Sequence, residues 1–346
     1  MSKDQLFMLR CLELAALGAG DAAPNPMVGA VLVYQDRIIG EGFHEKFGQA
    51  HAEVNCINSV KASEKDLISR ATLYVSLEPC SHFGKTPPCS LLIIDQKIPE
   101  VVIGMQDPFA AVNGKGILQL KNAGVRVKTG VLEEECKQLN KSFICFHQNK
   151  RPYIVLKWAQ SVNGKIAGPD QERVLISNEY TGRLVHKWRT EEAAILVGTN
   201  TALLDDPLLD NRFWFGNPPL KMVVDRTLRL PGSLKLFHSG APPVIFNELK
   251  ESKQDHRFSR LDFNHLPEEI CKFCYNHQIQ SVLIEGGSVL LQSFIDSGLW
   301  DEARVITNPK LQIENGKDAP ALKSASLRSS ERLLDDQINY FVNREH

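Results

Sequence analysis

His51-Ala52-Glu53, then Glu78-Pro79-Cys80 and, behind Pro87-Pro88, Cys89 are the stretches whose reading decides the fold. His51 opens a helix expected over residues 52–60, and Glu78 closes an apolar strand, Thr72 to Leu77. One imidazole and two thiols make three zinc ligands, and three rather than four leave a position open for water, as catalytic sites do. Zinc lowers the pKa of such a water toward ~7, which supplies a nucleophile for an amidine-like carbon at neutral pH. Glu53 is the carboxylate placed to move the proton from water to departing ammonia. Two residues apart on a helix diverge, so His51 and Glu53 serve one metal only if the helix offers its N-terminal end. That end also stabilises thiolate and hydroxide. H-x-E with P-C-x-x-C is the zinc deaminase signature; here H-A-E occurs with Cys89 nine positions after Cys80. A helix-start histidine and two buried cysteines explain each residue singly, but not the whole set in this order.

Outward from these motifs the first half alternates helix and strand. Helices are expected over Ser2 to Leu17, Cys89 to Asp95, Gly116 to Ala123 and Glu133 to Phe146. Strands are expected over Val28 to Tyr34, Arg37 to Glu41, Val101 to Met105 and Val125 to Thr129. The rhythm is α/β and predicts a three-layer sandwich. His147-Gln-Asn-Lys-Arg-Pro152 has no periodicity and ends in proline, which sets the expected domains at 1–146 and 147–346. The 346 residues are enough for two cores. Forty Lys plus Arg balance 41 Asp plus Glu, so no positive field is available to hold nucleic acid. Asp4, Arg10 and Glu13 interrupt the first helix, no window is apolar enough to span a membrane, and the expected location is cytoplasmic. Eight cysteines are too few for a disulfide scaffold at this length.

The second half restarts the α/β pattern with strands at Tyr153 to Ala159, Ala194 to Gly198, Leu220 to Asp225, Val244 to Phe246, Ser281 to Glu285 and Glu302 to Thr307, and a helix at Asn178 to Thr190. It contains no G-x-G-x-x-G after a strand, so a Rossmann dinucleotide site has no support. Gly286-Gly287-Ser288 joins a strand to an apolar helix, where bare backbone N–H groups can receive phosphate. Cys271-Lys-Phe-Cys274 has no second pair at zinc-finger spacing and reads as one helix face packed in a core.

Taken together, Pro24-Asn-Pro-Met-Val-Gly29, His51-Ala-Glu53 and Leu77-Glu-Pro-Cys-Ser-His-Phe-Gly-Lys-Thr-Pro-Pro-Cys89 resemble the bifunctional riboflavin-biosynthesis deaminase/reductase family. The likeness continues through Met105-Gln-Asp-Pro108, Gly114-Lys-Gly-Ile117, Leu139-Asn-Lys-Ser-Phe143, Lys157-Trp-Ala-Gln-Ser-Val-Asn-Gly-Lys-Ile-Ala167, Val197-Gly-Thr-Asn-Thr201 and Leu204-Asp-Asp-Pro-Leu-Leu-Asp-Asn-Arg212. The resemblance implies an N-terminal cytidine-deaminase-like sandwich and a C-terminal domain similar to dihydrofolate reductase. It implies Zn2+ on His51, Cys80 and Cys89, with Glu53 as proton donor and Asn25, His44, His82 and Lys85 near the deaminase substrate. In the second half it implies that NADPH meets Ala159, Thr201, Asp205 and the run Gly287, Ser288, Val289, Leu290, Leu291, Gln292 and Ser293. Lys157, Arg189, Leu209, Arg212 and Glu285 would face a ribose phosphate, for which guanidinium forks are suited. Asn163 stands where the family often has Asp, and Leu175 where it often has an aromatic. The implied activity is removal of the 2-amino group from a diaminopyrimidinone carrying a phosphoribosylamino group, then NADPH-dependent reduction of the ribosyl chain. The acid assisting hydride transfer is Lys157 or Glu285. The expected partner is thus a small pyrimidine ribosyl phosphate, with no nucleic acid and no membrane, in a chain that a homo-oligomer would also accommodate. The competing enzyme reading is a zinc deaminase of nucleosides or RNA bases with an accessory domain, which the charge balance and the Cys80 to Cys89 spacing disfavour. A regulatory pyrimidine-binding protein would be expected to have lost Glu53.

Overall fold

Strand residues of the first unit alternate between two apolar layers. The computed structural model describes residues 1–81, 83, 87–109, 113–252 and 257–345, and the chain divides into two units, Met1–Lys150 and Arg151–His346. The first contains α1 (Lys3–Ala16), β1 (Gly29–Tyr34), β2 (Arg37–Phe43), α2 (Ala52–Asn58), β3 (Thr72–Leu77), α3 (Cys89–Asp95), β4 (Glu100–Met105), α4 (Lys115–Asn122), β5 (Arg126–Thr129), α5 (Glu133–Leu139) and α6 (Lys141–Asn149). Its sheet runs β2-β1-β3-β4-β5, with β1 antiparallel to both neighbours and β3, β4 and β5 parallel. Ala30, Leu32, Leu73, Val75, Val101 and Ile103 bury one face against Ala52, Cys56, Ile93 and Leu120. Val31, Val33, Tyr74 and Val102 bury the other against Phe7, Met8, Cys11 and Cys136. This period-two division of apolar residues makes the three-layer sandwich. Because β3 and β4 are parallel, Leu77 ends beside Met105, and the loops leaving both strands share one edge.

The helix expected over Glu133 to Phe146 is two helices, broken at Asn140. That residue leaves helical geometry (φ −105°, ψ 22°) and uses its amide on the Met27 backbone: Met27 N–H donates to Oδ1 at 2.8 Å and Nδ2 donates to the Met27 carbonyl at 2.9 Å. Helix α6 then continues through Asn149, ending at left-handed Lys150 (φ 54°). The units therefore divide after Lys150, where the sequence placed the division after Phe146. Arg151 already belongs to the second unit, because its guanidinium forks onto Asp301 at 2.7 and 2.8 Å, and Asp301 also accepts Ile154 N–H at 2.8 Å.

The second unit comprises β6 (Tyr153–Ser161), β7 (Lys165–Ala167), α7 (Glu179–Glu191), β8 (Ala194–Val197), α8 (Thr199–Asp205), β9 (Leu220–Val224), β10 (Val244–Asn247), β11 (Phe258–Arg260), α9 (Leu266–Asn276), β12 (Ser281–Glu285), α10 (Ser288–Asp296), β13 (Glu302–Asn308), β14 (Lys317–Asp318), β15 (Ala325–Leu333) and β16 (Asp336–Asn343). Nine strands form one sheet in the order β11-β10-β9-β8-β12-β6-β13-β16-β15. All neighbours are parallel except the terminal pairs β13/β16 and β16/β15. Parallel strands covered on both faces read as continuous apolar runs, as Ser281–Glu285 does with every residue buried. Cys271 and Cys274 are free thiols packed with Phe246, Ile270 and Phe273 in the core. Among the described residues no helix is long and apolar enough to cross a membrane.

Candidate functional site

The first site forms where α2 and α3 begin beside the end of β3. His51 is the N-cap of α2 in extended geometry (φ −74°, ψ 165°), and its side chain makes no capping bond, which leaves the ring to face the thiols. Its Nδ1 lies 3.6 Å from Cys80 Sγ and 3.3 Å from Cys89 Sγ, and the three donor atoms lie within 4.8 Å of one another. Cys89 opens α3 behind Pro88, and its N–H donates to Cys80 Sγ at 3.3 Å. A bond from the Cys89 thiol, with His51 beside it, outweighs burial and holds Cys80 far below the usual thiol range, at about 4. The same bond and burial push Cys89 upward. One nitrogen with two sulfurs, all within 4.8 Å of one another, is a donor set that fits Zn2+.

Glu53 lies in the first turn of α2, 3% exposed, with its carboxyl hydrogen-bonded to the Cys89 side chain. Burial, then the Cys80 charge, raise its pKa above the ordinary carboxylate value. His44 has both ring nitrogens engaged. Nδ1 donates to Ala50 O at 3.0 Å and Nε2 accepts from Asn25 Nδ2 at 3.0 Å, a tautomer assigned by those partners. Burial keeps the ring neutral. His44 therefore sets the Asn25 amide, which places it beside the residue that the resemblance puts near the substrate. Asn140 holds Met27 two residues on. His82 and Lys85 lie outside the described residues.

Glu78 is a residue whose part the sequence did not disclose. Its Oε2 accepts N–H bonds from Asp107 (3.2 Å) and Gly114 (2.9 Å), and its Oε1 from Gly116 (2.9 Å) and Ile117 (3.1 Å). The carboxylate so ties the end of β3 to the first turn of α4. A Cβ on Gly116 would stand 2.0 Å from the Pro79 carbonyl oxygen, so only glycine lets α4 approach the residue preceding Cys80.

The second site is a cavity of about 1330 Å³ in the second unit. It is lined by Lys157, Ala159, Thr201, Asp205, Leu209, Arg212 and Glu285 together with Gly287, Ser288, Val289, Leu290 and Ser293. Small-molecule sites run ~300–1,000 Å³, so there is room for a dinucleotide beside a second ligand. Of the implied cofactor run, Leu291 and Gln292 do not line the cavity with their side chains. Leu291 points into the core with no exposure, and Gln292 bonds Asp296 and the Ala321 backbone, because successive helical residues cannot all face one cavity. Gly286 has φ 79°, and a Cβ there would lie 2.8 Å from Thr201 Cγ2. The turn must therefore be glycine to bring the start of α10 against Thr201. Asn163 pins the Ile313 backbone (Nδ2 to O 2.8 Å), and Leu175 is exposed on the cavity lining.

Lys157 and Glu285 are register partners on adjacent strands, with Nζ 3.8 Å from Oε2. Arg189 donates Nε and NH2 to the two Glu285 oxygens at 2.8 Å each and NH1 to the Asp210 carbonyl at 2.8 Å. In this structure its fork pairs with Glu285. Burial alone would raise the Glu285 pKa, but the Arg189 and Lys157 charges hold it at about 2. Burial outweighs Glu285 at Lys157 and lowers its pKa. Arg212 is half exposed, with NH1 2.6 Å from Asp210 Oδ1.

Residues 1–105 match the family described as cytidine and deoxycytidylate deaminase zinc-binding region, and residues 152–318 match the RibD C-terminal domain. The riboflavin biosynthesis protein RibD of Aquifex aeolicus is 38% identical over 318 residues, covering 90% of this chain and 88% of its own. The chain belongs to the RibD family. The Escherichia coli RibD is 33% identical, covering 96% of this chain and 94% of its own. The crystal structure of a diaminohydroxyphosphoribosylaminopyrimidine deaminase/5-amino-6-(5-phosphoribosylamino)uracil reductase from Thermotoga maritima superposes with a TM-score of 0.90 at 36% identity, covering 99% of both chains. Acinetobacter baumannii RibD gives 0.89 at 31% identity, covering 98% of each. The first unit is accordingly a cytidine-deaminase-like zinc domain and the second the RibD reductase domain, with the dihydrofolate-reductase-like fold. Zn2+ and NADPH are the cofactors.

Proposed function

We propose that the chain converts 2,5-diamino-6-(5-phosphoribosylamino)pyrimidin-4(3H)-one to 5-amino-6-(5-phosphoribosylamino)uracil in its first unit and reduces the ribosyl chain to ribityl in its second. The observation that carries this reading is the His51, Cys80 and Cys89 cluster with Glu53 buried beside it, in a chain whose other unit holds a cavity large enough for two ligands. When bound, zinc supplies Lewis acidity that makes water a nucleophile at neutral pH. His51, Cys80 and Cys89 hold it. Glu53, its pKa raised by burial, takes the proton that leaves water and returns it to the departing amine. Asn25, its amide set by His44, pairs with the pyrimidine edge.

In the second unit NADPH supplies the hydride, received at the anomeric carbon. The sugar oxygen leaving that carbon needs a proton. Glu285 is held ionised by Arg189 and has none to give, whereas burial makes the Lys157 ammonium a readier acid. Lys157 is therefore the proton donor and Glu285 its orienting partner. The substrate is a small pyrimidine ribosyl phosphate, not a nucleic acid or a membrane; a net charge of −1 leaves no field to gather a polyanion. Full-length protein given the diaminopyrimidinone ribosyl phosphate and NADPH should release ammonia and oxidise NADPH in equal amounts. Neither product appearing would refute the reading.

A further inference from the structure

Helix α7 turns Gly182, Val185, His186 and Arg189 toward the reductase cavity, at helical spacings of three and four. His186 has no evident task there. It is 6% exposed, its Nδ1 is buried without a hydrogen-bond partner, and its ring stands edge-on to Phe213 with centroids 4.9 Å apart. Buried polar atoms in native proteins are nearly always paired, so an orphan that lines a cavity points to a ligand.

The charges around the ring indicate which ligand. On its own helix lies Arg189, on the loop after α8 Arg212 and Asp210, and on β12 Glu285. Arg189 and Glu285 satisfy each other, and Asp210 gives its carbonyl to Arg189 and one carboxylate oxygen to Arg212. Burial and the two arginines keep His186 neutral, near 4, so it carries one N–H donor. Among the described residues no group pairs with its Nδ1, and Arg212 remains half exposed beside it with its guanidinium 4.9 Å over Phe213.

We propose that His186 is a further donor to the phosphate monoester of the reductase substrate, beside Arg212, which the family resemblance already turns to the ribose phosphate. The inference rests on the reductase reading above. Its test is steady-state NADPH oxidation by the full chain with 5-amino-6-(5-phosphoribosylamino)uracil and with the same compound lacking phosphate. H186L should raise KM for the phosphorylated compound by about tenfold or more, with kcat, NADPH affinity and use of the dephosphorylated compound unchanged. H186Q, which keeps an N–H donor, should recover most of the loss. As an independent readout, the long-range ¹H–¹⁵N histidine signal missing in H186Q should shift when inorganic phosphate is added to the wild type. Equal losses with both compounds, or weakened NADPH binding with KM intact, would overturn the assignment. Wild-type protein that oxidises no NADPH with either compound would sink the reductase reading, and the phosphate-induced histidine shift would then decide on His186 alone.

Discussion

Replacing Glu78 by Gln changes one oxygen to NH2 and keeps the volume. In the structure each carboxylate oxygen accepts two backbone N–H groups, from Asp107 and Gly114 or from Gly116 and Ile117. Whichever way the amide turns, one buried and one part-buried donor face a donor. An unsatisfied buried donor costs ~1–3 kcal/mol, so the pair costs about 2–6 kcal/mol, and a central value near 3 kcal/mol allows for local rearrangement. With an m-value of about 2 kcal/mol per molar urea, the midpoint should fall by about 1.5 M. Because Pro79 and Cys80 follow directly, zinc release into a chromogenic chelator during a urea titration reports on this part of the fold. E78Q should release zinc at markedly lower urea than wild type. An unchanged midpoint with full zinc retention would refute the claim that Glu78 holds α4 to the metal centre.

Cys80→Ser should lose zinc and ammonia release together, whereas Glu53→Ala should keep zinc, by metal analysis, while ammonia release falls at least ~10²-fold. Gly286→Ala must place a side chain at φ 79° against Thr201, and fluorescence titration should show weaker NADPH binding. Glu285 has a pKa depressed from 4.5 to about 2 by Arg189 and Lys157 against burial. Its stabilisation is present above pH 4.5 and is lost as pH falls through that interval, at most about 3 kcal/mol. Near-UV circular dichroism between pH 5 and about 2 should show a shallower acid loss for Glu285→Gln, on a lower stability at neutral pH because Arg189 and Lys157 are left unpaired.

What could be read in the sequence followed from how locally each feature is encoded. Thr72–Leu77 and Ser281–Glu285 were evident because strands buried on both faces are continuous apolar runs. The hairpin of β15 and β16 was not, since Ala325–Leu333 is mostly exposed and polar and carries no alternation to detect. The break at Asn140 depends on Met27, far away in sequence, so helical periodicity ran through it. The histidine, cysteines and Glu53 announced themselves by chemistry at fixed spacing. Glu78 looked like a flank of Pro79-Cys80 because its partners are backbone groups, which have no sequence signature. His186 lies one helical turn before Arg189 on the same face of α7. That spacing was the available signal, and it gained meaning only once the cavity was known. Of the Gly287 to Ser293 run, the residues lining the cavity are those on one face of the helix start, a division that a contiguous motif does not display.

The central claim is two successive reactions on one chain, and the Cys80→Ser protein tests it most directly. Given the diaminopyrimidinone ribosyl phosphate and NADPH, the variant should release no ammonia and oxidise no NADPH. Given 5-amino-6-(5-phosphoribosylamino)uracil instead, it should oxidise NADPH at the wild-type rate. Oxidation of NADPH by the variant with the undeaminated compound, or failure with the deaminated one while the second unit remains folded, would contradict the account.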